Sequence, residues 1–182
     1  LEKIWSDTPL QQIRQNMLDG LQSDACKHCY EVEDSGFEGP RRGFNKNYRK
    51  YISAVDGGIN PKFKLRYANI MFSNHCNFSC RMCKPTYSSA WYDEWQSVTD
   101  QKPYGTKIIH AGRSKYDLVD QIIEHIDTIE TYYFNGGEPT LMEQHWKLLW
   151  ELEKQEKFDV TLIYNTNFQQ LDYKKHSITK LW

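Results

Sequence analysis

The chain has 182 residues, a formal net charge of −1 and five cysteines. That length can bury a core without a disulfide or metal staple, and the near-zero charge gives no long-range field for nucleic acid or an anionic membrane. No apolar run approaches the roughly 20 residues needed to span a bilayer. Twelve Tyr, eight Phe and six Trp argue against disorder. The opening Leu1-Glu2-Lys3-Ile4-Trp5 lacks the basic-then-apolar order of a secretory signal, so a cytoplasmic protein is expected. A first residue other than Met suggests a piece of a longer protein.

In chain order, Pro9 and Gly20 bracket a helix over 9–19, with Thr8 as its cap and Leu10, Ile13, Met17, Leu18 and Leu21 on its apolar positions. A second helical piece starts near Asp24 and carries Cys26 and Cys29. A loop over 35–40 leads into a basic, aromatic segment over 41–52, which reads as a solvated face. Asp56-Gly57-Gly58 and Asn60-Pro61 then break the chain. The expected division is a small, mostly helical module over 1–60 and an α/β part over 61–182.

From there strands and helices alternate. Residues 65–72, 131–134 and 160–164 are β-rich; 87–97, 115–127 and 141–156 carry helical patterns. Leu118, Ile122, Ile123 and Ile126 mark one helix face, and Leu148, Leu149 and Leu152 another. The pairs Trp91/Trp95 and Trp146/Trp150 read as helix-face packing, and His75, His110, His125 and His145 as ordinary residues. Alternation of this kind predicts a parallel α/β sheet, whose ligands gather at the strands' C-terminal ends. A sheet of so few strands leaves an edge uncovered.

Three motifs occupy those ends. Cys76, Cys80 and Cys83 form C-x3-C-x2-C after the first strand. Three close thiolates without a fourth can hold three irons of a cubane and leave one iron open, whereas zinc normally takes four protein ligands; His75 and His110 could complete such a zinc site. Gly136, Gly137, Glu138 and Pro139 follow the second strand. Paired glycines permit positive φ and close backbone approach, and a carboxylate there could receive an ammonium group. Thr166 and Asn167 follow the third strand with side chains suited to hydroxyls and oxygens.

Cys76-Asn77-Phe78-Ser79-Cys80-Arg81-Met82-Cys83, with Gly-Gly-Glu-Pro downstream, resembles the signature of radical S-adenosylmethionine (SAM) enzymes. The resemblance implies the first part of a (β/α) radical SAM barrel with a [4Fe–4S] cluster on Cys76, Cys80 and Cys83. It also implies SAM held by residues 136–139. In that family one electron from the cluster cleaves SAM to a 5′-deoxyadenosyl radical, which abstracts a substrate hydrogen. Met82 stands where relatives often carry an aromatic residue against adenine, and a thioether can pack on a purine. Asn165-Thr166-Asn167 is similar to the Thr-Asn-Gly of relatives with auxiliary-cluster domains, with Phe168 in place of glycine.

The stretch from Cys26 to Asn45, with Glu33, Gly36 and Arg42 at intervals, looks similar to the cysteine-bearing parts of SPASM and twitch domains. Cys26 and Cys29 are then two ligands of a second iron–sulfur cluster. Taken alone, the pair reads equally as half a zinc site, a redox dithiol or two structural cysteines. The implied partners are a reductant such as flavodoxin or ferredoxin and a substrate of peptide character, with neither membrane nor nucleic acid. Two other classes remain open at this point: a non-catalytic iron–sulfur electron-transfer protein, and a zinc-binding interaction module.

Overall fold

A computed structural model describes residues 1–52 and 62–181, and the chain divides into two compact units, Leu1–Phe63 and Lys64–Trp182. The Asp-Gly-Gly and Asn-Pro breaks expected between the modules lie outside the described residues.

The first unit is helical. It contains α1 (Glu2–Trp5), α2 (Thr8–Leu18), α3 (Lys27–Asp34), α4 (Pro40–Asn47) and α5 (Arg49–Ile52). The first long helix begins one residue earlier than the sequence indicates, because the Asp7 side chain accepts from the Thr8 backbone N–H and takes the cap from Thr8. Its apolar stripe is not buried: Met17, Leu18 and Leu21 are exposed. The basic segment is helical, with Pro40 at the first position of α4, where a missing N–H costs nothing. Glu33 is buried and holds both Arg41 and Arg42, the latter at 3.2 Å, so this end of the basic run is an ion-paired anchor rather than a solvated face. The carboxylate raises the Arg41 pKa further above its ordinary value.

The second unit is mixed α/β around a three-stranded parallel sheet in the order β1 (Tyr67–Ile70), β2 (Thr131–Phe134), β3 (Thr161–Tyr164). Asn69 stands opposite Tyr133, and Tyr133 opposite Ile163. Between β1 and β2 run α6 (Trp95–Thr99) and α7 (Asp117–Ile123), and between β2 and β3 runs α8 (Glu143–Lys154). A small antiparallel pair, β4 (Asp172–Tyr173) and β5 (His176–Ser177), precedes α9 (Ile178–Leu181).

Period-two alternation sends Ala68, Ile70, Tyr132 and Phe134 to one face of the sheet, where they are buried with Val119, Ile122 and Ile126 and with Trp146, Leu148, Leu149 and Leu152 of α8. All three leucines expected on that helix are therefore in the core. The helix expected over 87–97 is instead a 3-10 turn at Ser89–Trp91 followed by the short α6. The reason is local: Ser88 and Ser89 spend their side chains on the cysteine loop. Trp91 and Trp95 still meet edge to face, with ring centres 6.0 Å apart. Among the described residues no helix is long and apolar enough to cross a membrane.

Candidate functional site

Because all three strands run parallel, the segments that follow them emerge on one side of the sheet. Cys76, Cys80, Cys83, Gly136, Gly137, Glu138, Thr166 and Asn167 line one cavity of about 530 Å³, together with Phe78, Met82, Tyr87, Asn135 and Asn165. Pro139 is buried at the start of the following turn. The three sequence motifs thus meet, and Tyr87 and Asn135, which belong to none of them, join them.

The cysteine loop has no regular structure, so its backbone polar groups need other partners. The segment that follows supplies them. The Ser88 hydroxyl donates to the Phe78 carbonyl at 2.7 Å, the Ser89 hydroxyl to the Cys76 carbonyl at 3.3 Å, and the Trp91 indole N–H to the Cys80 carbonyl at 2.8 Å. The Cys76 N–H donates to the Ser89 hydroxyl at 3.1 Å. Beneath the loop, Asn74 is buried; its carboxamide donates to the carbonyls of Pro85 and Lys107 and accepts from the Ile109 N–H. With these carbonyls engaged, the thiols are left to face the cavity. All three are half-buried and unpaired, and Cys76 Sγ accepts only a long 3.5 Å contact from the Phe78 N–H.

The glycine pair closes on this loop. Gly136 and Gly137 both have positive φ, +68° and +64°. A Cβ on Gly137 would strike the His75 carbonyl and lie 2.5 Å from the Met142 methyl and 2.8 Å from the Ser73 carbonyl; one on Gly136 would strike Met71. Only glycine permits both the conformation and the approach. The Gly137 N–H donates to the Tyr87 carbonyl at 2.7 Å and the Glu138 N–H to the His75 carbonyl at 2.8 Å, stitching the two loops together.

Glu138 is 1% exposed. One carboxylate oxygen accepts from the Thr140 N–H (3.2 Å), the Thr140 hydroxyl (2.7 Å) and the Thr166 hydroxyl (2.6 Å). The other accepts from the Asn167 N–H at 2.7 Å. The sequence suggests a carboxylate open to an ammonium group; here the protein's own donors occupy it, and it ties the ends of β2 and β3 together. The Asn167 side chain is engaged as well, its amide donating to the Asn77 carboxamide oxygen and its oxygen accepting from the Gln169 N–H, and the Gly137 N–H is given to Tyr87.

The electrostatics of the thiols bear on what they can hold. Burial pushes the Cys83 thiol up, and the neighbouring Cys80 and Cys76 thiolates push it further. A cationic centre shared by the three cysteines would relieve that effect and deprotonate the Cys83 thiol on binding. The donor set therefore fits an iron–sulfur cluster. Glu138, the one acidic side chain in the cavity wall, is held by Thr140, Thr166 and Asn167, and His75 is exposed and absent from that wall. Among the described residues no group of three or more His, Cys, Asp or Glu side chains is gathered to hold a single metal ion.

Cys26 and Cys29 belong to the first unit. Cys26 closes a 3-10 turn, Asp24–Cys26, and Cys29 lies in the first turn of α3, both half-buried and unpaired. Asn74, Ser88, Ser89 and Trp91 were not legible as site residues, since their partners are remote carbonyls that leave no local pattern. Comparison with protein families, curated proteins and solved structures finds no match.

Proposed function

We propose that this chain is a radical SAM enzyme, present as part of a (β/α) barrel, with a [4Fe–4S] cluster on Cys76, Cys80 and Cys83. One observation carries the reading. Among the described residues, three thiols without a further side-chain ligand share a cavity with a glycine pair that only glycine can form, at the C-terminal ends of parallel strands. Three protein ligands leave one metal position open to a cofactor.

A cluster held by Cys76, Cys80 and Cys83 would supply the one-electron reduction by which SAM is cleaved for hydrogen abstraction from a substrate. The chain's own part is positioning. Gly136 and Gly137 bring backbone polar groups within reach of the methionyl end of SAM. Glu138 fixes Thr166 and Asn167 beside those glycines and, with one oxygen accepting a single N–H, keeps an acceptor position for the amino group of SAM. Met82, 92% exposed, and the rings of Phe78 and Tyr87 provide an apolar surface for a purine. Cys26 and Cys29 are assigned to a second, auxiliary cluster of SPASM or twitch type whose other ligands lie elsewhere. The reductant is a flavodoxin or ferredoxin, and the compartment is the cytoplasm.

The test is electron paramagnetic resonance on anaerobically reconstituted, reduced protein, with and without SAM. The expected result is a [4Fe–4S]⁺ signal that shifts when SAM is added and is lost in Cys80→Ala. A cluster signal indifferent to SAM would assign the site to electron transfer. Stoichiometric zinc with no cluster would remove the enzyme reading.

A further inference from the structure

Asn135-Gly136 is the chain's one asparagine–glycine step, and it follows directly on β2 where the cavity begins. Glycine after asparagine leaves no side chain to obstruct attack of the following backbone nitrogen on the carboxamide carbon. Whether a folded chain allows that attack depends on hydrogen bonding, because a backbone N–H held by an acceptor resists losing its proton. In the run 135–138 three of the four N–H groups are held. Asn135 donates to the Ile70 carbonyl at 2.9 Å, Gly137 to Tyr87 at 2.7 Å and Glu138 to His75 at 2.8 Å. The fourth, the Gly136 N–H, belongs to the nitrogen that would attack, and it has no acceptor among the described residues.

The carboxamide is open to attack as well. Asn135 is half-buried and lines the cavity beside Gly136, within reach of water. Its NH₂ donates to the Asn69 carboxamide oxygen, which orients the side chain. Its own carbonyl oxygen, on which charge develops during attack, accepts from no protein group among the described residues. No other asparagine combines these features, since each of the others is followed by a residue with a side chain. Asn74 shows the opposite extreme: it is 1% exposed, and its carboxamide is bonded through both nitrogen and oxygen.

We propose that Asn135 is a self-modification site, at which the folded chain converts its carboxamide through a cyclic imide to aspartate and isoaspartate. The Gly136 nitrogen, its proton taken by hydroxide, bonds to Asn135 Cγ; the Cγ–Nδ2 bond breaks and ammonia leaves. Water then opens the imide at Cγ to give aspartate, or at the backbone carbonyl to give isoaspartate, whose main chain runs through Cβ and Cγ. The net change is carboxamide and water to carboxylate and ammonium, with no oxidant or reductant. Either product alters the cavity. Aspartate loses the N–H given to Asn69 and adds an anion to a wall whose one carboxylate is Glu138. Isoaspartate adds a methylene to the main chain where there is no slack, since a Cβ on Gly136 would strike Met71 and Gly137 lies against the Ser73 and His75 carbonyls. The glycine pair is thereby shifted from the cysteine loop, and the site carries its own ageing clock. This holds whatever cofactor the cavity takes.

The test is incubation of the full chain, folded, in mildly acidic and mildly alkaline buffer, and in parallel unfolded in urea. Conversion at each asparagine is read by mass spectrometry after digestion in acid, with aspartate and isoaspartate peptides separated by chromatography. Asn135 is expected to convert ahead of every other asparagine, faster in the alkaline buffer, and to yield both products. Its rate in the folded chain should lie within about tenfold of its rate in urea, because a nitrogen without an acceptor needs a local opening of no more than about 1.4 kcal/mol. In ¹⁵N-labelled chain the Gly136 and Gly137 amide signals should split into a second set as product accumulates. Asn135→Gln, which must close a larger ring, should stay unconverted over the same period. Protection beyond about tenfold, earlier conversion of another asparagine, a rate indifferent to pH, or aspartate without isoaspartate would each overturn the proposal. Glycine signals unmoved in the converted chain would overturn its effect on the site. None of these readouts needs cluster or SAM, so the outcome is separate from that of the resonance test.

Discussion

Replacing Glu138 by Gln tests whether one buried carboxylate holds the site together. The side chain keeps its shape, and in one orientation its carbonyl can still accept from Thr140 and Thr166. Its NH₂ then faces the Asn167 N–H, two donors where the structure has a 2.7 Å bond. In the flipped orientation the orphan is the Thr140 N–H, on a fully buried residue. Either way a backbone donor loses its acceptor, and the surviving bonds drop from charge-assisted to neutral strength. A lost bond to a charged group costs about 1.5–3 kcal/mol, partly offset because a neutral amide is cheaper to bury than an anion. The expected net loss is about 2 kcal/mol, a large share of the roughly 5–15 kcal/mol that stabilises a domain. Urea unfolding followed by hydrogen exchange at the Tyr132 and Phe134 amides reads this second unit without interference from the first. A coupling of about 0.5–3 kcal/mol between Glu138→Gln and Thr166→Val in a double-mutant cycle would locate the loss at that contact. If Glu138→Gln is as stable as the parent within about 0.5 kcal/mol, the hydrogen-bond reasoning is wrong.

Two further perturbations follow from the same geometry. Gly137→Ala should cost about 2–5 kcal/mol, from left-handed backbone strain plus collision with the His75 and Ser73 carbonyls, whereas Gly20→Ala, at φ +70° with open space around it, should cost about 1 kcal/mol; equal urea midpoints for the two would refute the close approach. Burial lowers the pKa of His145 to about 3 from an ordinary 6.5, so the folded state stays neutral where the unfolded chain binds a proton. Stability from this group is complete above pH 6.5 and declines as pH falls toward 3, by about 2 kcal/mol between 6.5 and 5. His145→Leu should flatten that part of the urea-midpoint profile, and an unchanged slope would rule out His145 as its source.

What could be read from the chain divides along a physical line. The run 131–134 is the observed β2, and Leu148, Leu149 and Leu152 lie in the core, because hydrophobic periodicity records which face a segment buries. The meeting of three motifs was equally legible, since parallel topology carries every strand end to one side. Periodicity failed where polar side chains had other work. The 87–97 segment has helical spacing, yet Ser88, Ser89 and Trp91 are drawn to carbonyls of the cysteine loop and the helix breaks. The stripe on α2 has the right spacing, yet Met17 and Leu18 stay exposed and Leu10 and Ile13 are only half-buried, because spacing says which residues share a face and not how far that face is covered. Glu138 was legible as a site residue and not as an anchor: its partners Thr166 and Asn167 lie a strand and a helix away.

Parallel topology alone brings three loops to one edge but sets no register among them, and loops of this length would otherwise sample many arrangements. Here side-chain and backbone hydrogen bonds set that register. The carbonyls of Cys76, Phe78 and Cys80 are each held by a side chain from the following segment, the backbone N–H groups of Gly137 and Glu138 are given to Tyr87 and His75, and the Glu138 side chain binds the end of β3 to the end of β2. Ordering a loop on binding consumes affinity, so a scaffold that is ordered beforehand leaves more of the interaction for the ligand. The cavity-lining groups that this scaffold does not use are the three thiols, the rings of Phe78 and Tyr87, and Met82.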